Sequence, residues 1–364
     1  MRDLPTEIPA ELFAAWFELV SVRGIYPIAG GLSGSLVWRV RLADDTQWAL
    51  RRWPTGTTRA RIEEVHRVVQ AARSEHFPLA PSVRRVGDGR SWQACDGFVW
   101  DCHQWIDGEA FAGELVDGSA NWQRVCPQGA VASARFSAAV ASSQQLGGLA
   151  AGGSPGASKT VAARVTKVSE LDDCFRAYGA RLLEAAQRHA WSRQDERLVT
   201  ATSSWLYCWP ACIGQLKQWL SRVSEQQWPL VWILGDHHVG NLLFRHGELV
   251  GIVDYDAVRY DSPACDLARL FGSYQLVSGV VSDSVLTGSI WEPMVAAYRA
   301  IRPLKGQEEE LAGGLVRWSP VITLGNWIQW VLVEERSFAG STEEILERIQ
   351  GWQRIVVNLA DNSI

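Results

Sequence analysis

ILGDHHVGNLLF, residues 233–244, sets a carboxylate, Asp236, and a carboxamide, Asn241, five positions apart between two aliphatic runs. In the continuation, LLFRHGELVGIVDYD, Leu242 to Phe244 and Leu249 to Val253 read as short strands around a turn at His246–Gly247. The second strand ends in Asp254-Tyr255-Asp256. A hairpin folds its ends together, so Asp254 is expected beside Asn241 and Asp236. One carboxamide and two or three carboxylates in one place make a poor core and a good site for a hard divalent cation such as Mg²⁺. A carboxylate left off the metal can accept a proton from a hydroxyl nucleophile.

D-x4-N is also the spacing of the kinase catalytic loop, where Asp orients a hydroxyl and Asn holds a metal. A polar loop with a capping Asp and an Asx turn would use the same residue types. The hairpin and IVDYD that follow favour the chemical reading. His237 and His238 do not make a metal pair, because neighbouring side chains in an extended segment point apart.

Other elements must position this cluster and hold a phosphate against it. GGLSGSLVWRV puts Gly30, Gly31, Ser33, Gly34 and Ser35 between two strands, where glycines let backbone N–H groups approach phosphate oxygens. In the next strand, WALRR, Ala49 and Arg51 fall on one side, as alternation requires. A small residue two before a cation suits an adenine face and a phosphate clamp; Arg51 can also be read as a surface arginine. TRARIEEVHRVVQAARSE is a helix with a stripe of Ile62, Val65, Val69 and Ala72. Its Glu63 or Glu64 is a candidate partner for Arg51, Glu64 lying nearer the stripe, or a solvated charge. Strands are expected near PSVRRVG (81–87) and GFVWDCHQWI (97–106), with a helix at 9–19. Residues 1–106 therefore read as a five-stranded antiparallel sheet with a helix after the third strand. From 107 to 364 the pattern is mostly helical, with helices near 128–146, 161–189, 201–223, 263–278, 290–302, 308–336 and 342–359 and a Gly/Ser/Ala-rich loop at 147–160.

Bulk properties narrow the function classes. The 364 residues suit two lobes. With 47% hydrophobic and 21% charged residues the chain is globular. A net charge of −5 and a pI of about 5.9 argue against nucleic acid as a partner. Seven scattered cysteines without CxxC read as reduced thiols. No apolar run is long enough to span a bilayer and no signal core opens the chain, so no membrane partner and a cytoplasmic location are expected.

Taken together, GGLSGSLVWRV, WALRRWP, DGFVWDCHQWIDGEA, LGDHHVGNLLF and VGIVDYDAVRYDSPACDLARL resemble the aminoglycoside phosphotransferase/choline kinase-like family. The resemblance covers most of residues 20–280. It implies an α+β, bilobal protein-kinase-like fold, with 1–106 as N-lobe and 107–364 as C-lobe. It implies phosphoryl transfer from ATP, or GTP, with Mg²⁺, to a hydroxyl of a small molecule. Asp236 would be the base, Asn241 and Asp254 metal ligands, and Asp256 a supporting acid at the metal. The backbone of Gln104, Trp105 and Ile106 would meet the adenine edge, and the region of Trp318, Trp327 and Trp330 would lie near the acceptor. For those tryptophans core packing is the alternative, and Glu334 and Glu335 are weaker candidates for a cationic acceptor. Asp266 would buttress the catalytic loop or favour a helix N-terminus. Two positions depart from the family pattern: Leu234 stands where a histidine is usual, and Arg51 where a lysine is usual. They motivate a competing reading, a degenerate kinase fold that binds nucleotide or metabolite without transfer.

Overall fold

In the computed structural model the described residues are 8–17, 21–28, 34–111, 118–146, 154–193, 195–278, 290–338 and 340–361. Of the glycine-rich turn, Gly34 and Ser35 belong to them; Gly30, Gly31 and Ser33 lie outside.

Helix α1 (Ala10–Trp16) precedes β1 (Val22–Ile28), β2 (Leu36–Leu42), β3 (Gln47–Arg52), α2 (Arg59–Ser74), β4 (Trp92–Cys95) and β5 (Phe98–Gln104). The five strands form an antiparallel sheet in the order β1-β2-β3-β5-β4. Strand alternation gives this sheet two chemically different faces. Trp38, Val40, Leu50, Trp100 and Cys102 point to one side and form an apolar cluster with Leu12, Phe13 and Trp16 of α1. Arg51 and Asp101 occupy the other side as directly opposed residues of β3 and β5.

One strand differs from expectation. Residues 81–87 make only a single bridge, Val83 to His103, and the fourth strand is Trp92–Cys95. The tight turn at Asp96–Gly97, both at positive φ (51° and 77°), pairs β4 with residues 98–101 of β5. Residues 82–84 are left the remaining length of that edge, through Gln104 N–H to Ser82 O (2.8 Å) and Arg84 N–H to Cys102 O (2.7 Å). Helix α2 begins as its sequence predicts, with Thr58 Oγ1 accepting from Arg61 N–H, and buries Ile62, Val65, Val69 and Ala72.

The chain continues through β6 (Glu109–Ala110), α3 (Gly118–Ser142), β7 (Ser154–Gly156), α4 (Lys159–Arg188), α5 (Arg197–Ser224), β8 (Trp228–Ile233), β9 (Leu242–Arg245), β10 (Glu248–Ile252), β11 (Arg259–Asp261), α6 (Ala264–Ser278), α7 (Trp291–Arg299), α8 (Gly306–Leu332) and α9 (Thr342–Asp361). Within the predicted Gly/Ser/Ala-rich loop, residues 154–156 pair with β8. Trp318 and Trp327 are buried among α4, α5, α8 and α9, with Trp330 packed against them, so core packing accounts for all three. Glu334 is ion-paired with Arg336. All seven cysteines are free thiols. No helix among the described residues is long and apolar enough to cross a membrane.

Candidate functional site

Strand β8 delivers the chain to Leu234 and Gly235, where the direction changes. Gly235 has φ +80°, and a Cβ there would overlap Ala257 O and Arg259 Nη1. Only glycine suits both the conformation and the approach. Gly235→Ala is expected to cost more than about 1 kcal/mol, read as a lowered urea midpoint. The backbone N–H groups of Leu234 and Gly235 donate to the two oxygens of Asp266 (2.9 and 2.8 Å), and Ser133 Oγ donates to the same carboxylate. Asp266 is fully buried in the first turn of α6 and ties the loop start to that helix. The expected buttress is thus present without the usual histidine, and the apolar Leu234 is simply buried.

Beyond the turn, Asp236 O accepts from His238 N–H and from Asn241 Nδ2, both at 3.0 Å. The second bond uses Asn241 Nδ2, and no donor among the described residues meets Asn241 Oδ1. Residues 239–241 form one short helical turn. His237 is buried with Nε2 2.9 Å from Gly129 O, and His238 Nδ1 accepts from Gly240 N–H. The turn at His246–Gly247 has φ of 53° and 77°, the mirror-image geometry of a tight hairpin. The hairpin closes as expected: Val253 N–H donates to Asn241 O (3.0 Å), which sets Asp254 beside Asn241. Asp254 itself is left-handed (φ 59°, ψ 69°), a strained conformation for a non-glycine residue.

Electrostatics divides the carboxylates. Burial pushes Asp236 up, but the Arg269 guanidinium, donating from Nε to Oδ1 at 2.7 Å, outweighs it and holds the carboxyl below its ordinary value. Burial pushes Asp254 up, opposed by Arg51 and aided by the charge of Asp236. Asp256 is pushed up to about 6 by burial, with Asp254 and Asp101 adding repulsion against the pull of Arg51.

Arg51 is not a surface residue: its side chain is 12% exposed. Its expected partner is corrected. Glu64 pairs with Arg61 on its own helix, and Glu63 accepts from Trp92 Nε1 (2.9 Å). The guanidinium instead forms a fork with Asp101 on β5 (Nε–Oδ1 3.2 Å, Nη2–Oδ2 2.8 Å), reaches Asp256 through Nη1, and stacks 3.8 Å over Trp53. Asp101 is fully buried and also meets Trp53 Nε1 (2.7 Å), His66 Nε2 (3.0 Å) and His103 Nε2 (2.9 Å). Helix α2 supplies Arg61 in place of a glutamate, its Nη2 donating to Asp256 O (2.7 Å) and Val258 O.

Ala49 lies on the Arg51 side of β3, opposite His103. Further along, Gln104 N–H and Trp105 N–H are engaged by Ser82 O and Gln47 O, leaving Ile106 N–H without a protein acceptor among the described residues. Sequence reasoning missed Asp101 and Arg269. A lone carboxylate inside the apolar run FVWDC was the available signal for the first; the second carried none.

A model of the phosphotransferase enzyme family matches residues 24–304. An aminoglycoside phosphotransferase from Alicyclobacillus acidocaldarius aligns over 99% of this chain and 98% of its own, at 14% identity and TM-score 0.58. The amicoumacin kinase hAmiN, in complex with AMP-PNP, Ca²⁺ and Ami, aligns over 95% of this chain and 91% of its own, at 12% identity and TM-score 0.58. Aminoglycoside 2'-phosphotransferase-IIIa, in complex with GDP, aligns over 97% and 98%, at 11% identity and TM-score 0.53. No curated protein sequence matches.

Proposed function

We propose, for a chain that belongs to the phosphotransferase enzyme family, that it transfers the γ-phosphoryl group of ATP or GTP to a hydroxyl of a small molecule, with residues 1–106 as nucleotide side and 107–364 as acceptor side. The observation that carries this reading is the hairpin closure, Val253 N–H to Asn241 O at 3.0 Å, which puts Asn241 and Asp254 side by side next to Asp236. The donor set fits a hard cation: Asn241 Oδ1 meets no donor among the described residues, and Asp254 adds carboxylate oxygens. Asn241 and Asp254 would hold Mg²⁺, with Asp256 in support. Bound there, the metal would neutralise charge on the phosphate oxygens.

The protein's own groups do the rest. Asp236 orients the acceptor hydroxyl and takes its proton on Oδ2, since Oδ1 is held by Arg269. Arg51, fixed by Asp101, clamps the phosphates from the sheet side, with Gly34 and Ser35 in the turn before β2. Ile106 N–H is the open donor for a base edge. The hAmiN complex holds AMP-PNP and the 2'-phosphotransferase complex holds GDP, so both nucleotides belong in the test. Calorimetric titration with ATP and GTP, with and without Mg²⁺, is expected to give binding that depends on the metal. Asp254→Asn is expected to remove that metal dependence; an unchanged dependence would reject Asp254 as a ligand.

A second reading, nucleotide binding without transfer, is favoured by the two ion pairs at the site. Arg51 is tied to Asp101 and Asp256, and Arg269 to Asp236. It predicts Mg²⁺-dependent binding and no ADP release with any acceptor.

A further inference from the structure

One oxygen of the buried Asp101 carries more contacts than it can serve. Oδ2 lies 2.8 Å from Arg51 Nη2, 2.7 Å from Trp53 Nε1, 3.0 Å from His66 Nε2 and 2.9 Å from His103 Nε2. A carboxylate oxygen offers about two lone pairs. Arg51 and Trp53 can only donate, so the imidazoles are the surplus. His103 shows it. Both of its ring nitrogens are buried, and neither makes a hydrogen bond among the described residues, although Nε2 stands 2.9 Å from the oxygen. A buried polar group in that state is costly unless something else engages it.

The fold sets these groups together. Asp101 and His103 alternate onto one face of β5, and His66 comes from the buried face of α2, with Ile62 and Val69. One donor atom from each of the three residues lies within 4.8 Å of the other two. Zn²⁺ bonds of about 2.0–2.1 Å at tetrahedral angles space their donors about 3.3 Å apart. The separations of 2.9 and 3.0 Å from Oδ2 to the two Nε2 atoms therefore need to open only slightly. His66 Nδ1 is 2.7 Å from Ser91 Oγ; donating there, the ring turns its Nε2 lone pair to the cluster. Burial also holds His66 below its ordinary value, so the ring is neutral at pH 7, the form that ligates. Arg51 does not forbid a second cation. Its guanidinium is shared among Asp101, Asp256 and Asp254 (3.9 Å), and Arg61 is paired with Glu64.

We infer that His66, Asp101 and His103 form a site for a borderline divalent cation of the Zn²⁺ type, with water as fourth ligand on the side of the partly exposed His103. Two imidazole nitrogens and one carboxylate oxygen suit such an ion and not Mg²⁺, which takes oxygen ligands. The site is separate from the Mg²⁺ site proposed at Asn241 and Asp254, and it does not rest on the phosphotransferase reading. Its ion would bridge α2 to β5 and fix the carboxylate that holds Arg51.

The test uses the full chain without a histidine tag, stripped with a chelator, gel-filtered and titrated with Zn²⁺ in the presence of excess Mg²⁺. One Zn²⁺ per chain is expected by elemental analysis, with a raised Tm. With Co²⁺ in place of Zn²⁺, d–d absorption of tetrahedral strength is expected without a thiolate-to-metal band, which separates this site from the seven free cysteines. His103→Gln is expected to weaken Zn²⁺ binding by at least about a hundredfold, and Ser91→Ala, which removes only the support of His66, by about tenfold. His103 has no hydrogen bond to lose, so His103→Gln is expected to keep the metal-free Tm of the wild type. Should that variant fail to fold, Ser91→Ala and the wild-type Co²⁺ spectrum still decide. No bound Zn²⁺, displacement of Zn²⁺ by Mg²⁺, a thiolate band, or undiminished affinity in His103→Gln would each overturn the inference.

Discussion

Asp236→Asn is expected to lower turnover by about 10²–10⁴-fold while Mg·nucleotide affinity stays within about threefold. The expectation follows from what each oxygen does. Oδ1 is engaged by Arg269 Nε at 2.7 Å, and Oδ2 is 3.7 Å from His238 Nε2, too far for a hydrogen bond, so Oδ2 is open to a hydroxyl. His238 is no substitute base: burial and the charges of Arg269 and Arg348 pull it to about 4, opposed by Asp236, so it is neutral at pH 7 but a weak proton acceptor. Asparagine preserves the size of the side chain and its acceptor toward Arg269, but it cannot take a proton. Single-turnover measurement of phosphoryl transfer beside a nucleotide titration separates the two effects. A variant that loses nucleotide binding together with turnover would place Asp236 among the binding residues instead.

The parts of the site that were readable in the sequence are those fixed by local geometry. D-x4-N, a two-residue turn at His246–Gly247 and a carboxylate at the end of the second strand lie within one hairpin, and a hairpin has one way to close. Apolar periodicity likewise located α2 and its buried stripe, because a helix that packs must repeat near every third or fourth residue. What remained hidden depends on distant pairings. Nothing in WALRR or FVWDC says that β5 lies beside β3 with Arg51 opposite Asp101; the sheet order does that. Glu64 failed as the partner for a related reason. Helical spacing assigns it a face but does not say which arginine is closest, and Arg61, three residues earlier, takes it. The fourth strand was misplaced because PSVRRVG and SWQAC compete for one edge of β5, and the turn at Asp96–Gly97 decides the winner.

Asp101→Asn is expected to have the largest effect on stability of any single polar substitution in the sheet, about 3–5 kcal/mol, because it breaks a buried ion pair from one side. Arg51 would keep Asp256 but lose its fork. Trp53 Nε1, His66 and His103 all converge on the same carboxylate, so three further contacts weaken with it. The pH dependence has a definite sign. Burial raises the Asp101 carboxyl, but the charge of Arg51 and the two histidines outweigh it, leaving the group well below its ordinary value. A folded-state value below the unfolded one of about 3.9 gives stability that is fully present above that pH and is lost as pH falls through the folded value. Wild type should therefore lose stability in acid from this pair, and Asp101→Asn should lack that component. Urea unfolding of both proteins from pH 7 to pH 3 measures it; parallel curves would refute the ion pair as its source. The functional consequence follows from the same contact. With its fork gone, Arg51 no longer holds one orientation toward the phosphates, so KM for nucleotide is expected to rise more than kcat falls. Glu64→Gln is the control, since its pair with Arg61 is part-exposed and within one helix: less than about 0.5 kcal/mol, and no change in nucleotide KM. The reverse pattern, Glu64 sensitive and Asp101 indifferent, would restore the helix as the source of the counter-ion.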